Sequence, residues 1–111
     1  EVLVHLYQEH GEEMVDRLRG MFAFAIWDRR AKKLLLVRDR LGKKPLVYWH
    51  DTEGLRFASE LKALCELRDF PRTVSSASVD QFLAYQYVPH PWTIYESARK
   101  LPPGCLAVYQ G

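Results

Sequence analysis

Cysteine is scarce in this sequence, and neither Cys65 nor Cys105 has a second cysteine or a histidine at metal-ligand spacing beside it. A disulfide framework and a tetrahedral zinc site are therefore both disfavoured. Such sparing use of cysteine fits a reducing cytosol, and a cytoplasmic location is expected. Long apolar runs are also missing. The longest, Met21 to Trp27, falls far below the roughly 20 residues that a membrane helix needs, and no stretch resembles a signal peptide. A membrane is not an expected partner. Charge of one sign is absent as well: 16 lysines and arginines face 14 acids, for a net charge of +2. That excess is too small to point to a polyanion, so nucleic acid is not expected either. What is present is apolar material, 48% of 111 residues with 13% aromatic, enough for the packed core of one small domain.

Periodicity divides this material into elements. Val2, Leu3, Leu6 and Tyr7 share one helical face, Met14, Val15 and Leu18 repeat the spacing, and Gly11 between them is a natural C-cap. The run Met21 to Trp27 predicts a strand covered on both faces in the middle of a sheet. Leu34 to Val37 pairs with it as a hairpin across the polar Asp28 to Lys33 connection. Leu46 to His50 and Leu55 to Ala58 predict a second hairpin around Asp51-Thr52-Glu53-Gly54. Ser59 is the expected N-cap of a short helix through Leu67, closed by Phe70-Pro71. Ser78 with Gln81 forms a capping box for a helix in which Val79, Phe82 and Leu83 share one face and which stops at Val88-Pro89. The proline-rich stretch from Pro89 to Pro103 predicts a fixed irregular segment. Pro103-Gly104 has the residues of a type II turn leading into a strand from Cys105 to Tyr109. That strand should turn at Gln110-Gly111 toward a partner outside the sequence. With a first residue, Glu1, that opens mid-pattern, the chain reads as an internal segment of a longer protein.

No constellation of reactive side chains stands out. His5, His10, His50 and His90 share no helix face with one another or with a carboxylate at metal spacing, so no metal site is expected. Gly42-Lys43-Lys44 lacks the first glycine, the Ser or Thr and the following helix of a phosphate loop. The basic clusters Arg29 to Lys33 and Arg38 to Lys44 occupy hairpin and loop positions, where solvated charge is the default. No Ser, Cys or Thr is paired with a base in a way that marks a nucleophile.

Three motifs in order, Gly20-Met21-Phe22-Ala23-Phe24-Ala25-Ile26-Trp27-Asp28, Leu36 through Leu46 and Phe57 through Leu64, resemble the glutamine-hydrolysing asparagine synthetases. The likeness continues through Tyr87-Val88-Pro89, Thr93-Ile94-Tyr95 and Lys100-Leu101-Pro102-Pro103-Gly104. It implies an α+β chain, part of an αββα sandwich of the N-terminal nucleophile hydrolase type with largely antiparallel sheets. Residues 1–111 would form the C-terminal part of a class II glutamine amidotransferase domain, joined in the parent protein to a synthetase domain. In that family an N-terminal cysteine attacks the glutamine amide with its own α-amino group as base, and an asparagine-glycine pair supplies the oxyanion hole. The ammonia passes through an internal tunnel to aspartate activated by ATP and magnesium.

None of those catalytic or substrate-binding roles transfers to a residue of this chain. The resemblance places Met21 near the mouth of the ammonia tunnel. Arg38 and Asp39 read as a structural pair with buried or half-buried contacts that shape the loop ending at Pro45, direct contact with glutamine being the alternative. Gly42 and Pro45 set that loop's backbone. The resemblance implies no cofactor in this segment, with ATP and magnesium in the synthetase domain. Glutamine, aspartate and ATP are partners of the parent protein, and the resemblance allows a homodimer. Two alternatives stay open: a relative that aminates another acceptor, and a small non-catalytic α/β interaction module.

Overall fold

The computed structural model describes residues 2–110. Helix α1 (Val2–His10) runs directly into a 3-10 helix (Gly11–Arg17), and the joint falls at Gly11, whose φ of +60° is costly for any residue with a Cβ. Two hairpins follow, β1 (Ala23–Asp28) with β2 (Lys33–Arg38) and β3 (Val47–Asp51) with β4 (Gly54–Ala58). Helices α2 (Leu61–Cys65) and α3 (Ser76–Tyr85) precede the last strands, β5 (Ala98–Lys100) and β6 (Leu106–Tyr109). The strands form two three-stranded sheets, ordered β1-β2-β6 and β4-β3-β5. Every pairing is antiparallel.

Alternation along the strands builds the layers. Ala23, Ala25, Leu34 and Ala107 of the first sheet meet Tyr48 and Leu55 of the second around buried Leu36, Leu46 and Leu101. Leu35 and Val37 therefore point to the opposite face and are buried there. On that side the 3-10 helix brings Met14, which is fully buried. The Tyr7 hydroxyl donates to Asp28 Oδ2 at 2.7 Å and Lys33 Nζ to Glu12 Oε1 at 2.7 Å, tying this helical layer to the β1–β2 hairpin. The far face of the second sheet packs Val47, Trp49 and Ala98 against Leu64 of α2 and Phe70. Phe70 meets Trp49 and Tyr95 edge-on, each at 5.4 Å, the geometry the ring quadrupoles favour. The order helix, sheet, sheet, helix is the αββα arrangement that the resemblance implied.

Several local expectations need correction. The first strand begins at Ala23 rather than Met21 and lies at the edge of its described sheet, with β2 in the centre. Gly20, at φ +100°, turns the chain there; the Phe22 carbonyl still accepts from the N–H of its register partner Asp39, while the Phe22 N–H donates to the Asp39 side chain. Met21 is consequently 62% exposed and Trp27 56%. The strand partner of β6 is β2, within the chain. Helix α2 is shorter than Ser59 to Leu67, and its N-cap is Glu60, with no side-chain cap bond. Helix α3 is capped by Ser75, whose Oγ accepts from Ser78 N at 3.2 Å, so the helix starts before the expected capping box. It ends at Gln86, which takes the left-handed conformation ahead of Val88-Pro89. Phe82 and Leu83 are exposed. The segment from Pro89 to Pro103 holds strand β5, anchored by buried Thr93, whose Oγ1 donates to Tyr95 O and Ala98 O, each at 3.0 Å.

The molecule is a slab of 45 × 31 × 18 Å with a radius of gyration of 15.1 Å, against about 13 Å for a compact domain of this length. Phe70 sits in a buried apolar cluster with Val47, Trp49, Leu64 and Ala98. Truncation there leaves a cavity between sheet and helix, so Phe70→Ala is expected to cost about 3–5 kcal/mol in denaturant unfolding, with an unchanged slope.

Candidate functional site: the Asp39 loop and the cavities beside Met21

At the end of β2 the chain leaves the sheet through Arg38 and Asp39. Asp39 is 1% exposed, a cost to a carboxylate unless donors surround it. They do: Oδ1 accepts from Leu41 N at 3.0 Å and Lys43 N at 3.1 Å, and Oδ2 from Phe22 N at 3.2 Å and Lys44 N at 3.3 Å. Its backbone is used as fully. Asp39 N donates to Phe22 O at 2.9 Å, and Asp39 O accepts from Gly42 N at 3.0 Å and Gly104 N at 2.7 Å. One residue thus joins the loop to Gly42–Lys44, the entry to β1 and the turn before β6. Burial pushes the Asp39 carboxyl up, but the N–H groups of Lys43, Lys44 and Phe22 outweigh it and hold it below the usual carboxylate value.

Arg38 closes the same loop from the other side. Its guanidinium donates to Lys44 O at 2.9 Å, Leu101 O at 2.6 Å and Gly42 O at 2.8 Å, spreading the planar fork over three carbonyls. Arg38 and Asp39 do not pair with each other; each satisfies backbone. Gly42 sits at φ +66°, and a Cβ there would lie 2.7 Å from Pro103 Cγ and 3.2 Å from an Arg38 nitrogen, so only glycine fits between them. The two sequence motifs, Arg38 to Pro45 and Lys100 to Gly104, are therefore one structure. Lys100 Nζ, bonded to Val88 O, is held below the ordinary lysine value by burial and then by nearby Arg38.

Two cavities flank the entry to β1. The larger, about 570 Å³, is lined among others by Leu18, Met21, Phe22, Arg38, Gly104 and Cys105. The smaller, about 390 Å³, is lined by Leu3, Met21, Phe22, Ala23, Phe24, Lys44, Pro45 and Ser59. Met21 and Phe22 line both. The structure thus brings Met21 next to the loop of Arg38, Asp39, Gly42 and Pro45, a proximity that sequence separation hides. Phe22 and Gly104 belong to the same site and were not singled out as site residues from sequence; the turn signal at Pro103-Gly104 was the available clue. Both cysteines are free: Cys65 packs against the Phe70 cluster, and Cys105 lines the larger cavity. Cys65 lies beside the Tyr95 hydroxyl, which the thiol holds above the ordinary tyrosine value, and no His, Asp or Glu side chain bonds to either thiol among the described residues.

The bound state of Asp39 has a pH signature. Its folded carboxyl is the stronger acid, so its contribution to stability is fully present above the unfolded value of about 3.9 and is lost as the pH falls through the lower folded value. Asp39→Asn, which turns an amide N–H₂ toward one pair of N–H donors, is expected to lower Tm on the order of 10 °C at neutral pH. Thermal melts across the acid range should show that deficit shrinking as the pH falls below about 4, where the unfolded carboxyl takes up its proton before the folded one does.

Comparison with known proteins gives the family. The whole chain, residues 1–111, matches the family described as glutamine amidotransferase domain. It is 37% identical over 110 residues, 96% of the chain, to a putative glutamine-hydrolysing asparagine synthetase of Mycobacterium tuberculosis, of which it covers 17%. It is 51% identical over 72 residues, 65% of the chain, to glutamine-hydrolysing asparagine synthetase 2 of Bacillus subtilis, covering 10% of that protein. Asparagine synthetase 3 of Arabidopsis thaliana, also glutamine-hydrolysing, is 51% identical over 67 residues, 60% of the chain and 12% of its own length. The chain therefore spans a small part of the curated relatives it matches, and on the match along its full length it belongs to the glutamine amidotransferase domain family.

Proposed function

We propose that residues 1–111 form the C-terminal part of the glutaminase domain of a glutamine-hydrolysing asparagine synthetase. In this reading glutamine is hydrolysed to glutamate and ammonia, and the ammonia amidates aspartate at a separate ATP-using domain of the same protein. The observation that carries it is the 37% identity to an asparagine synthetase along 96% of the chain. The parent would draw on glutamine, aspartate and ATP, and it would supply the nucleophile from another segment, because Cys65 and Cys105 are placed as packing and cavity residues.

In this reading magnesium-ATP would be held by the separate ATP-using domain. Among the described residues, no three His, Cys, Asp or Glu side chains gather to hold a metal ion. The Gly42-Lys43-Lys44 backbone turns its Lys43 and Lys44 N–H groups onto Asp39 rather than outward to a phosphate. The chain's own part is scaffolding: the Asp39 loop fixes the entry to β1, and Met21 stands beside two cavities at that entry. No helix among the described residues is long and apolar enough to cross a membrane.

The test is isotopic. The intact parent protein, given amide-¹⁵N glutamine, aspartate and magnesium-ATP, is expected to release glutamate and to place the label in the side-chain amide of asparagine. Label in a different acceptor would replace the asparagine reading with another amidotransferase; no glutamate at all would remove the glutaminase reading.

A further inference from the structure

Six of the fourteen large apolar side chains exposed among the described residues fall between positions 74 and 92: Val74, Phe82, Leu83, Tyr85, Tyr87 and Trp92. They centre on α3, which the chain holds by its ends and not along its length. At the start Ser75 N donates to Ile94 O at 2.9 Å, and beyond the C-terminus Lys100 Nζ donates to Val88 O. Between these ties seven of the ten helical residues are exposed and Ser78 alone is buried. No α3 residue belongs to either apolar cluster of the sandwich. Ten residues are too few for a helix to stand in water on its own hydrogen bonds, and a helix with apolar residues around most of its circumference is one that a protein covers. Leu83, 74% exposed, and the Tyr85 and Tyr87 rings, 6.3 Å apart, supply the aromatic and aliphatic surface, poor in charge, that the cores of interfaces use.

We propose that α3 is a docking surface for the ATP-using domain of the parent protein. The inference rests on the asparagine synthetase reading above, which supplies that domain. The rest of the glutaminase domain enters elsewhere. Each sheet already has both faces covered, by the other sheet and by a helical layer, so further strands of the sandwich can add only at sheet edges. A second copy of the chain is disfavoured by charge. Asp80 is the only charged residue of α3 and forms no ion pair among the described residues. A two-fold contact through the helix would set one Asp80 near the other with no cation between them. A different domain can bring a cation to Asp80 and to the negative end of the helix dipole. It is also tethered. The chain covers 17% of the mycobacterial relative, so in a parent of that kind most of the polypeptide is held close to α3 at high effective concentration.

The experiment places a photo-reactive side chain on this surface in the intact parent protein, as Leu83→p-benzoylphenylalanine. The preparation is first given amide-¹⁵N glutamine, aspartate and magnesium-ATP, then irradiated, and the crosslink is read by gel mass and peptide mass spectrometry. The expected product keeps the mass of one chain and joins position 83 to a peptide of the ATP-using domain, in a preparation that labels asparagine. If that variant does not accumulate as folded protein, Tyr85→p-benzoylphenylalanine takes its place, since Tyr85 is 60% exposed and aromatic like the probe. In a preparation that labels asparagine, a product with the mass of two chains, a crosslink to the preceding part of the glutaminase domain, or no crosslink would overturn the docking and leave the asparagine reading standing. A preparation that labels no asparagine would remove that reading, and the occupant with it.

Discussion

The fold turns on the hydrogen bonds of one buried carboxylate. Asp39 carries its charge into a place with almost no solvent contact, and that is affordable only because four backbone N–H groups, from Phe22, Leu41, Lys43 and Lys44, converge on it. Asparagine, neutral and of the same size, would keep one acceptor oxygen and leave one pair of those donors unpaired, and an unpaired buried donor costs more than a made hydrogen bond contributes. The carboxylate therefore dictates the loop and not the reverse. Through the Phe22 and Gly104 bonds it also fixes where β1 begins and where β6 enters beside β2. Both edges of the first sheet are thus set from one point between its strands.

The division of labour between the two sheets follows. The β1-β2-β6 sheet is defined at one end by the Asp39 loop and covered by Met14 and the helical layer. The β4-β3-β5 sheet instead depends on apolar packing, Trp49, Phe70 and Tyr95 edge to face above α2. Leu36, Leu46 and Leu101 join the sheets face to face, and the Leu101 N–H donates to Leu46 O at 2.9 Å. A polar knot and an aromatic knot thus stabilise opposite faces, and the cavities lie on the polar side.

Much of this was legible in the sequence, for physical reasons. Both hairpins follow from alternation and turn residues; the second turns tightly because Asp51 Oδ1 accepts from Glu53 and Gly54 N–H. The Arg38 to Pro45 loop and its likeness to a known family were also readable. The clamp on Phe22 was not, because an apolar run from Met21 to Trp27 gives no sign that the N–H of Phe22 goes to a carboxylate seventeen positions on. Nor was β5, since three strand residues inside a proline-rich stretch carry too little periodicity, and its anchor is the side chain of Thr93. Helix α3 misled for another reason: serines at 75, 76 and 78 offer competing caps, and only the three-dimensional reach of Ser75 Oγ selects the start. Its Phe82 and Leu83 look like core by spacing but meet no core among the described residues.

The central claim is that the Asp39 carboxylate organises the loop and the entry to β1 as one unit. Native-state hydrogen exchange tests it most directly. The amides of Phe22, Leu41, Lys43, Lys44 and Gly104 should exchange slowly and together in the wild type. In Asp39→Asn they should become fast as a group while the amides around Trp49 and Phe70 stay protected. Fast or uncorrelated exchange of those five amides in the wild type would contradict the account.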